Sequence, residues 1–480
     1  MESVAQAVSR LRELAAAEPL ATLAQRFAAA GHELALVGGP VRDAFLGRGV
    51  HDLDLATSAR PDDIIRIIRP VVDAHWDIGR DFGTIGARIG DDTVEITTYR
   101  ADEYDPSSRK PEVAFGDTLE GDLLRRDFTI NALALRLPQL ELVDPTGGFD
   151  HLVAGLLVTP TTPERSFGDD PLRMLRGVRF AAQLGVTIDE AALQAMTAMR
   201  GRLEIISAER IRDELVKLLA TASPRRGLEL LVATGLADYV LPELPALRLE
   251  IDEHAHHKDV YEHSLTVLEQ AIDLEQARGE KDAPADTILR LAALLHDIGK
   301  PATRKIEPNG AVTFHHHDVV GAKMAKKRLT ALRFDKDTIT AVARLIELHL
   351  RFFGYADAPW TDSGVRRYVR DAGPVLERLH ILTRADVTTR NKRKAARLKN
   401  AYDELEQRIV ELAEQEELAA IRPDLDGEQI MRILGLRPGP EVGAAYRYLL
   451  EVRLDEGPLA ADVAEQRLRD WWSARGDDSR

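Results

Sequence analysis

Residues 34–57 read LALVGGPVRDAFLGRGVHDLDLAT. Four apolar residues, Leu34 to Val37, break at Gly38 and Gly39; a short helical pattern carrying Arg42 and Asp43 follows, and the stretch ends in a strand bearing Asp52 and Asp54. Side chains alternate along a strand, so the two aspartates share one face while Leu53 and Leu55 turn the other way into a core. Two carboxylates held side by side repel, and divalent cations shared between them relieve the repulsion. Oxygen-only ligands suit Mg²⁺, and two such ions activate an attacking hydroxyl and stabilise a leaving pyrophosphate. The double glycine lets backbone approach a phosphate closely, the helix start behind it offers free N–H groups, and Arg42 adds charge. An Asp-x-Asp strand or a Gly-Gly turn is common when met singly. In this order they describe a nucleotidyl-transfer site.

The rest of the composition bounds what surrounds that site. A chain of 480 residues exceeds one hydrophobic core and predicts three or four domains. With 44% hydrophobic and 30% charged residues it reads as globular. No apolar run reaches the roughly 20 residues of a membrane span, and the N-terminus lacks the basic-then-apolar order of a signal peptide. The absence of cysteine excludes disulfides, thiolate chemistry and Cys-bound zinc, and fits a cytoplasmic protein. A net charge of −15 argues against a generic nucleic-acid binder, so RNA would need a local basic surface.

Upstream, Leu11, Leu14, Leu20, Leu23 and Phe27 form a helical pattern expected to cap the first strand. Downstream, Ser58 to Asp63 reads as an N-cap and early proline opening a helix with Ile64, Ile65, Ile67 and Ile68. Residues 82–100 predict a hairpin turning at Gly90 to Asp92. In its second strand Glu95 is either a third metal carboxylate or part of a solvated face. Residues 101–121 read as a polar loop, followed by Asp122-Leu-Leu-Arg-Arg-Asp-Phe-Thr-Ile-Asn131 and a turn at 143–148.

The Gly-Gly, Arg42 and Asp-x-Asp combination resembles the nucleotidyltransferase signature of the DNA polymerase β superfamily, in the form found in class II tRNA nucleotidyltransferases (CCA-adding enzymes) and bacterial poly(A) polymerases. Arg125 to Ala132, RRDFTINA, resembles that family's second block, which implies triphosphate and sugar contact for Arg126 and Asp127, with Asn131 beside them. Asp170, Arg173, Arg176 and Arg179 recur every three residues as a polar stripe, opposite Leu172, Leu175 and Val178. This segment resembles the family's nucleotide-selecting Glu-Asp-x-x-Arg, with Asp169 where Glu is common; Asp170 and Arg173 would read a base edge. A helix capped by Ser207 follows, in an all-helical part resembling the family's neck and body.

A second constellation lies outside this core. His263, His296-Asp297, His317, His349 and Asp386 follow one another on successive helices and resemble the HD-domain metal-dependent phosphohydrolases. Imidazoles with carboxylates suit Mn²⁺, Ni²⁺, Fe²⁺ or Mg²⁺. His315 and His316 are alternatives to His317, whose spacing to Gly321 fits better; His254, His256 and His257 read as solvated or RNA-facing. Six basic residues among Arg390 to Lys399 offer an RNA backbone track, and residues 424–443 resemble a C-terminal element of CCA-adding enzymes.

The expected architecture is therefore α+β: a DNA polymerase β-like nucleotidyltransferase head over 1–155, a helical neck and body for nucleotide selection and RNA binding over 156–250, an HD domain over 251–390 and a helical RNA-binding tail over 391–480. The resemblance implies CCA addition to tRNA from CTP and ATP, with Mg²⁺ on Asp52 and Asp54 and with Gly38, Gly39, Arg42, Arg126, Asp127, Asn131, Asp170, Arg173, Arg176 and Arg179 around the nucleotide. Alternatives are a poly(A) polymerase, an enzyme adding only C or only A, and an HD phosphohydrolase or 2′,3′-cyclic phosphodiesterase with a nucleotide-sensing head. No membrane partner is expected, and the sequence leaves the oligomeric state open.

Overall fold

The computed structural model describes residues 4–50, 53–100, 115–248, 259–280, 283–352, 360–388, 391–416 and 421–477. Asp52, Arg390, His254, His256, His257 and most of the expected loop at 101–121 lie outside them. The chain forms two compact units, Met1–Pro245 and Ala246–Arg480.

The first unit opens with helices α1 (Val4–Ala16) and α2 (Leu20–Ala29), then β1 (Leu34–Val37), α3 (Gly39–Phe45), β2 (Leu53–Thr57), α4 (Pro61–Ile68), β3 (Ala74–Trp76), β4 (Thr84–Ile89) and β5 (Asp92–Thr98). After the gap come α5 (Leu119–Leu124), β6 (Ala134–Leu137), β7 (Glu141–Val143) and α6 (Gly148–Ala154). The seven strands form one mixed sheet in the order β3-β4-β5-β2-β1-β6-β7. Only β2 and β5 run parallel, and the connection between them is made by α4, β3 and β4. Both faces of β1 are buried: Ala35 and Val37 join Ala56, Tyr99, Leu119 and Leu123 in one cluster, while Leu34 and Leu36 turn away from it. The apolar N-terminal pattern is packed as expected, with Leu20, Leu23 and Phe27 buried and α2 lying against β1 and α4.

Three local expectations change. Ser58 does not cap α4; its hydroxyl accepts from the Glu33 backbone N–H at 3.0 Å, and Arg60 occupies the cap position without a side-chain bond. The expected loop ends early because Thr118 caps α5, accepting from the Gly121 N–H. The polar stripe expected from Asp170 to Arg179 does not lie on one helix: Asp170 is extended and, with Pro171, parts α7 (Pro163–Asp169) from α8 (Leu172–Leu184). Helices α9 (Glu190–Met199), α10 (Ala208–Leu219) and α11 (Arg225–Ala233) complete this unit with two single turns. Ser207 caps α10 as the sequence predicts.

The second unit is almost wholly helical: α12 (Val260–Arg278), α13 (Thr287–Leu295), the single turn α14 (Lys300–Thr303), α15 (His317–Ala331) and α16 (Lys336–Leu348), then helices Asp362–Ala372, Leu376–Ala385 and Lys392–Glu416 and three more over Gly427–Asp477. The last three share a small core of Leu425, Ile430, Ala445, Leu449, Ala464 and Leu468. The fold class is thus α+β, a mixed-sheet head with a helical remainder. Among the described residues no helix is long and apolar enough to cross a membrane.

Candidate active sites

In the first unit a cavity of about 730 Å³ opens over the ends of β1, β2 and β5, and Gly38, Gly39, Arg42, Asp54, Glu95, Arg126, Asp127, Asn131, Asp170, Arg173, Arg176 and Arg179 all line it. Asp54 and Glu95 are register partners on the parallel strands, so their side chains leave the same face of the sheet in adjacent positions. Asp54 is half-buried and Glu95 exposed, while Leu53 and Leu55 on the opposite face are buried. An oxygen-only pair at an open cavity fits a hard divalent cation.

The glycine turn is required by its surroundings. Gly38 has φ +73, and a Cβ there would meet the Arg126 guanidinium at 2.7 Å. Arg42, on α3 behind this turn, is buried: its Nη1 donates to Asn131 Oδ1 at 2.6 Å and its Nε donates to Asp43 at 2.9 Å. Asn131 donates in turn to Asp127 Oδ1 at 3.0 Å, and Arg176 donates to Asp127 Oδ2 at 2.7 Å. Burial alone would raise the Asp127 carboxyl; Arg176 and the Asn131 amide override it and hold it well below the usual carboxylate range. With both oxygens engaged, Asp127 orients its neighbours and contributes no free anion to the cavity.

The arginine stripe of α8 is not a solvated face. Arg173 and Arg179 are each 8% exposed. Arg173 donates to Ser166 Oγ at 3.0 Å and to the Arg125 carbonyl at 2.5 Å, so its fork is fixed. Asp170 accepts from the Leu172 N–H at 3.0 Å and from Arg210 at 2.8 Å. Sequence reasoning missed Glu214 of α10, 4% exposed, whose Oε2 accepts from Arg179 Nε at 2.7 Å and whose other oxygen lies 3.9 Å from Arg176. A charged residue on the stripe of Ile211, Leu215 and Leu218 was the available signal. Arg125, Arg210 and Lys217 also line the cavity and were not singled out.

In the second unit five helix ends converge. His263 lies in the first turn of α12, His296 and Asp297 follow α13, His317 opens α15 and His349 follows α16, with Asp386 after the helix Leu376–Ala385. Their ligand atoms fall into two triads, His263, His296 and Asp386, and Asp297, His317 and His349, each within 4.8 Å. Asp386 Oδ1 is 2.9 Å from His263 Nε2, and Asp297 Oδ1 is 3.3 Å from His317 Nε2. Three rings are oriented from behind: Nδ1 of His296, His317 and His349 lies 2.9, 2.7 and 2.6 Å from the carbonyls of Ala293, Phe314 and Ile346. These contacts leave Nε2 facing the cluster, and among the described residues Nε2 of His317 and His349 is buried without a hydrogen-bond partner. Orphaned inward nitrogens held by carbonyl contacts behind them are what a divalent metal requires of imidazole ligands, so the residues fit one. Burial, assisted by His296, pushes His349 down to about 4 and keeps it neutral, the form that ligates. Gly299 is needed because a Cβ would fall 2.1 Å from the His317 carbonyl. The structure selects His317, leaving His315 and His316 exposed. Lys300, not foreseen, reaches Asp297 Oδ2 at 2.6 Å.

Fold and cleft together define a nucleotidyltransferase, joined to a helical unit with a histidine–carboxylate cluster. Family models agree: residues 34–158 match a poly A polymerase head domain, 185–247 a probable RNA and SrmB-binding site of polymerase A, and 260–391 an HD domain. An A-adding tRNA nucleotidyltransferase of Deinococcus radiodurans is 37% identical over 341 residues, 70% of this chain and 75% of that protein. A CC-adding tRNA nucleotidyltransferase of Thermus thermophilus is 31% identical over 447 residues, 92% and 94% of the two chains. The crystal structure of the Bacillus stearothermophilus CCA-adding enzyme in complex with CTP shares the fold, with a TM-score of 0.69 over 95% of this chain and 98% of that one at 23% identity. The chain belongs to the tRNA nucleotidyltransferase family.

Proposed function

We propose that this protein completes the 3′ end of tRNA, adding CMP, CMP and AMP from CTP and ATP without a nucleic-acid template. The observation carrying this reading is the row of Asp54 and Glu95 facing an arginine-lined cavity that also holds Asp170 and Arg173. Asp54, with Asp52 and Glu95, would hold Mg²⁺, which activates the RNA 3′ hydroxyl and stabilises the departing pyrophosphate. Gly38, Gly39, Arg42 and Arg126 bind the triphosphate; the Asp127–Arg176–Glu214 chain fixes the guanidinium groups; Asp170 and Arg173 present an acceptor and fixed donors to the base edge. A tRNA transcript lacking its last three nucleotides, incubated with CTP, ATP or both, tests it. Addition of CCA is expected; a product stopping at CC, a requirement for a CC end, or a homopolymer of A would reassign the specificity.

A second activity is favoured by the buried unpartnered Nε2 atoms of His317 and His349. We propose that the cluster binds Mn²⁺, Ni²⁺, Fe²⁺ or Mg²⁺, which supplies a hydroxide, and hydrolyses terminal or 2′,3′-cyclic phosphates on RNA, readying damaged ends for extension. Hydrolysis of 2′,3′-cyclic AMP by the wild type but not by His296→Ala is expected; equal turnover would refute it. We further divide the chain at about residues 155, 250 and 390 into head, neck and body, HD and tail, assign RNA backbone contact to the basic start of helix Lys392–Glu416, and place the protein in the cytoplasm.

A further inference from the structure

One row of residues crosses the head sheet at the level of the carboxylates. Leu36 pairs with Leu55, which sets Val37 beside Asp54; Asp54 pairs with Glu95, Glu95 with Gly86, and Gly86 with Trp76. Register partners share a face, so the Trp76 indole stands on the same surface as the metal-binding carboxylates. At about 4.8 Å per strand, the backbone of Trp76 is roughly 10 Å from Glu95 and roughly 14 Å from Asp54. The side chain closes that gap. A Cβ on Gly86 would fall 2.0 Å from the indole Nε1 and 2.2 Å from Cε2, so the ring lies over the glycine, toward Glu95.

Trp76 is 37% exposed on an edge strand with no buried residue, and among the described residues its Nε1 has no hydrogen-bond partner. Arg88, two residues beyond Gly86 on the same face, is exposed, and among the described residues no carboxylate pairs with it. Of the arginines that line the cavity, Arg42, Arg125, Arg126, Arg173, Arg176 and Arg179 come from α3, α8 and the segment between α5 and β6, Arg210 from α10, and Arg100 from the chain just after β5. Helix α3 follows β1 and that segment leads into β6, both on the opposite side of Asp54 from Trp76, whereas Arg100 stands on the Trp76 side.

In-line displacement places the attacking and leaving oxygens on opposite sides of the reacting phosphorus. With pyrophosphate held by Arg42 and Arg126, the attacking hydroxyl arrives from the side of Glu95 and Trp76. We infer that Trp76 is a positioning residue for the RNA: its indole stacks on the base at the RNA 3′ end, and Arg88 contacts a phosphate of the same strand. The inference rests on the nucleotidyl-transfer reading and names its acceptor site. Stacking suits an acceptor whose terminal base changes as each nucleotide is added, because every base presents a π-face.

The test uses the full chain with Mg²⁺, a tRNA transcript lacking its 3′ end, CTP and ATP. Trp76→Leu keeps an apolar side chain over Gly86 and removes the aromatic face; it should raise KM for tRNA about tenfold or more while KM for CTP stays within about twofold. Trp76→Phe should restore most of the loss. Arg88→Gln should lower the salt slope of tRNA binding by about 0.7, one single-strand phosphate contact. Tryptophan emission, quenched by tRNA in the wild type, should lose part of that quench in Trp76→Phe. Wild-type KM in Trp76→Leu together with an unchanged quench in Trp76→Phe would overturn the proposal. Absence of any incorporation by the wild type would instead overturn the transfer reading, and the quench would then report whether the RNA end still sits on Trp76.

Discussion

The head cleft and the histidine cluster meet the same physical problem, holding like groups close together, with opposite means. In the head, guanidinium groups surround an open cavity, and each is tied to a carbonyl, amide or carboxylate so that it points inward without its substrate. In the second unit six ligand-type side chains crowd together with His296, Asp297 and His349 each no more than 1% exposed. On the proposed readings, the first site suits a large anion and the second a metal held before substrate arrives.

The sharpest way to break that contrast is to disable one site and watch the other. Asp54→Ala should lower CMP and AMP incorporation by about three orders of magnitude, since it removes a proposed ligand of the Mg²⁺ that acts on the reacting phosphate. Hydrolysis by the cluster should be unchanged in the same protein; wild-type incorporation would refute the role of Asp54. Conversely, His349→Ala should weaken divalent-metal binding by about a hundredfold in calorimetry and leave incorporation intact. A loss of both activities in either variant would mean that the two sites are one functional system.

Glu214→Ala probes the cleft from behind. It leaves Arg179 buried without its carboxylate and loosens Arg176, which should cost about 3 kcal/mol of stability and raise KM for nucleotides. Glu214→Gln, which retains an acceptor, should recover part of each. Unchanged melting of the alanine variant would show that the arginines do not depend on it.

Acid should separate the units by a smaller amount. Burial pushes His380 of the second unit down to about 4, below its unfolded value near 6.5. Between those values the unfolded chain holds the extra proton, so stability falls as pH drops from about 6.5 to 4. In the head, Asp127 is held below the usual carboxylate range, so its stabilisation is present above that range and lost only under stronger acid. The second unit should therefore unfold first on acidification, followed by circular dichroism, and His380→Gln should flatten its slope between pH 6.5 and 4. Simultaneous loss of both units with and without that substitution would contradict the assignment.

What was legible in the sequence were features written in short spacings. The Gly38-Gly39 break and the alternation around Asp54 each depend on a few neighbouring positions, the ligand residues from His263 to Asp386 were legible through their order along the chain and its resemblance to HD domains, and the structure gathers these into two clusters. What escaped depends on partners far along the chain. The burial of Arg173 and Arg179 requires Ser166, Arg125 and Glu214, and no periodicity distinguishes a fixed arginine stripe from a solvated one. The break at Asp170 was hidden because Pro171 is acceptable in a first helical turn as well as before one. Trp76 passed unnoticed because its meaning lies in a register four strands wide.

The parallel pair within the seven-stranded sheet, β2 with β5, has a bearing on how the protein is born. Antiparallel neighbours can close by a tight turn, whereas Asp54 and Glu95 meet only after α4, β3 and the β4 hairpin have been made and folded back. Contacts of such long separation form slowly, since loop closure precedes any gain from pairing. On a ribosome, a nascent chain still short of Thr98 carries the glycine turn and Asp54 but not the completed Asp54–Glu95 row, so a site that uses both carboxylates forms only once the fifth strand has been made.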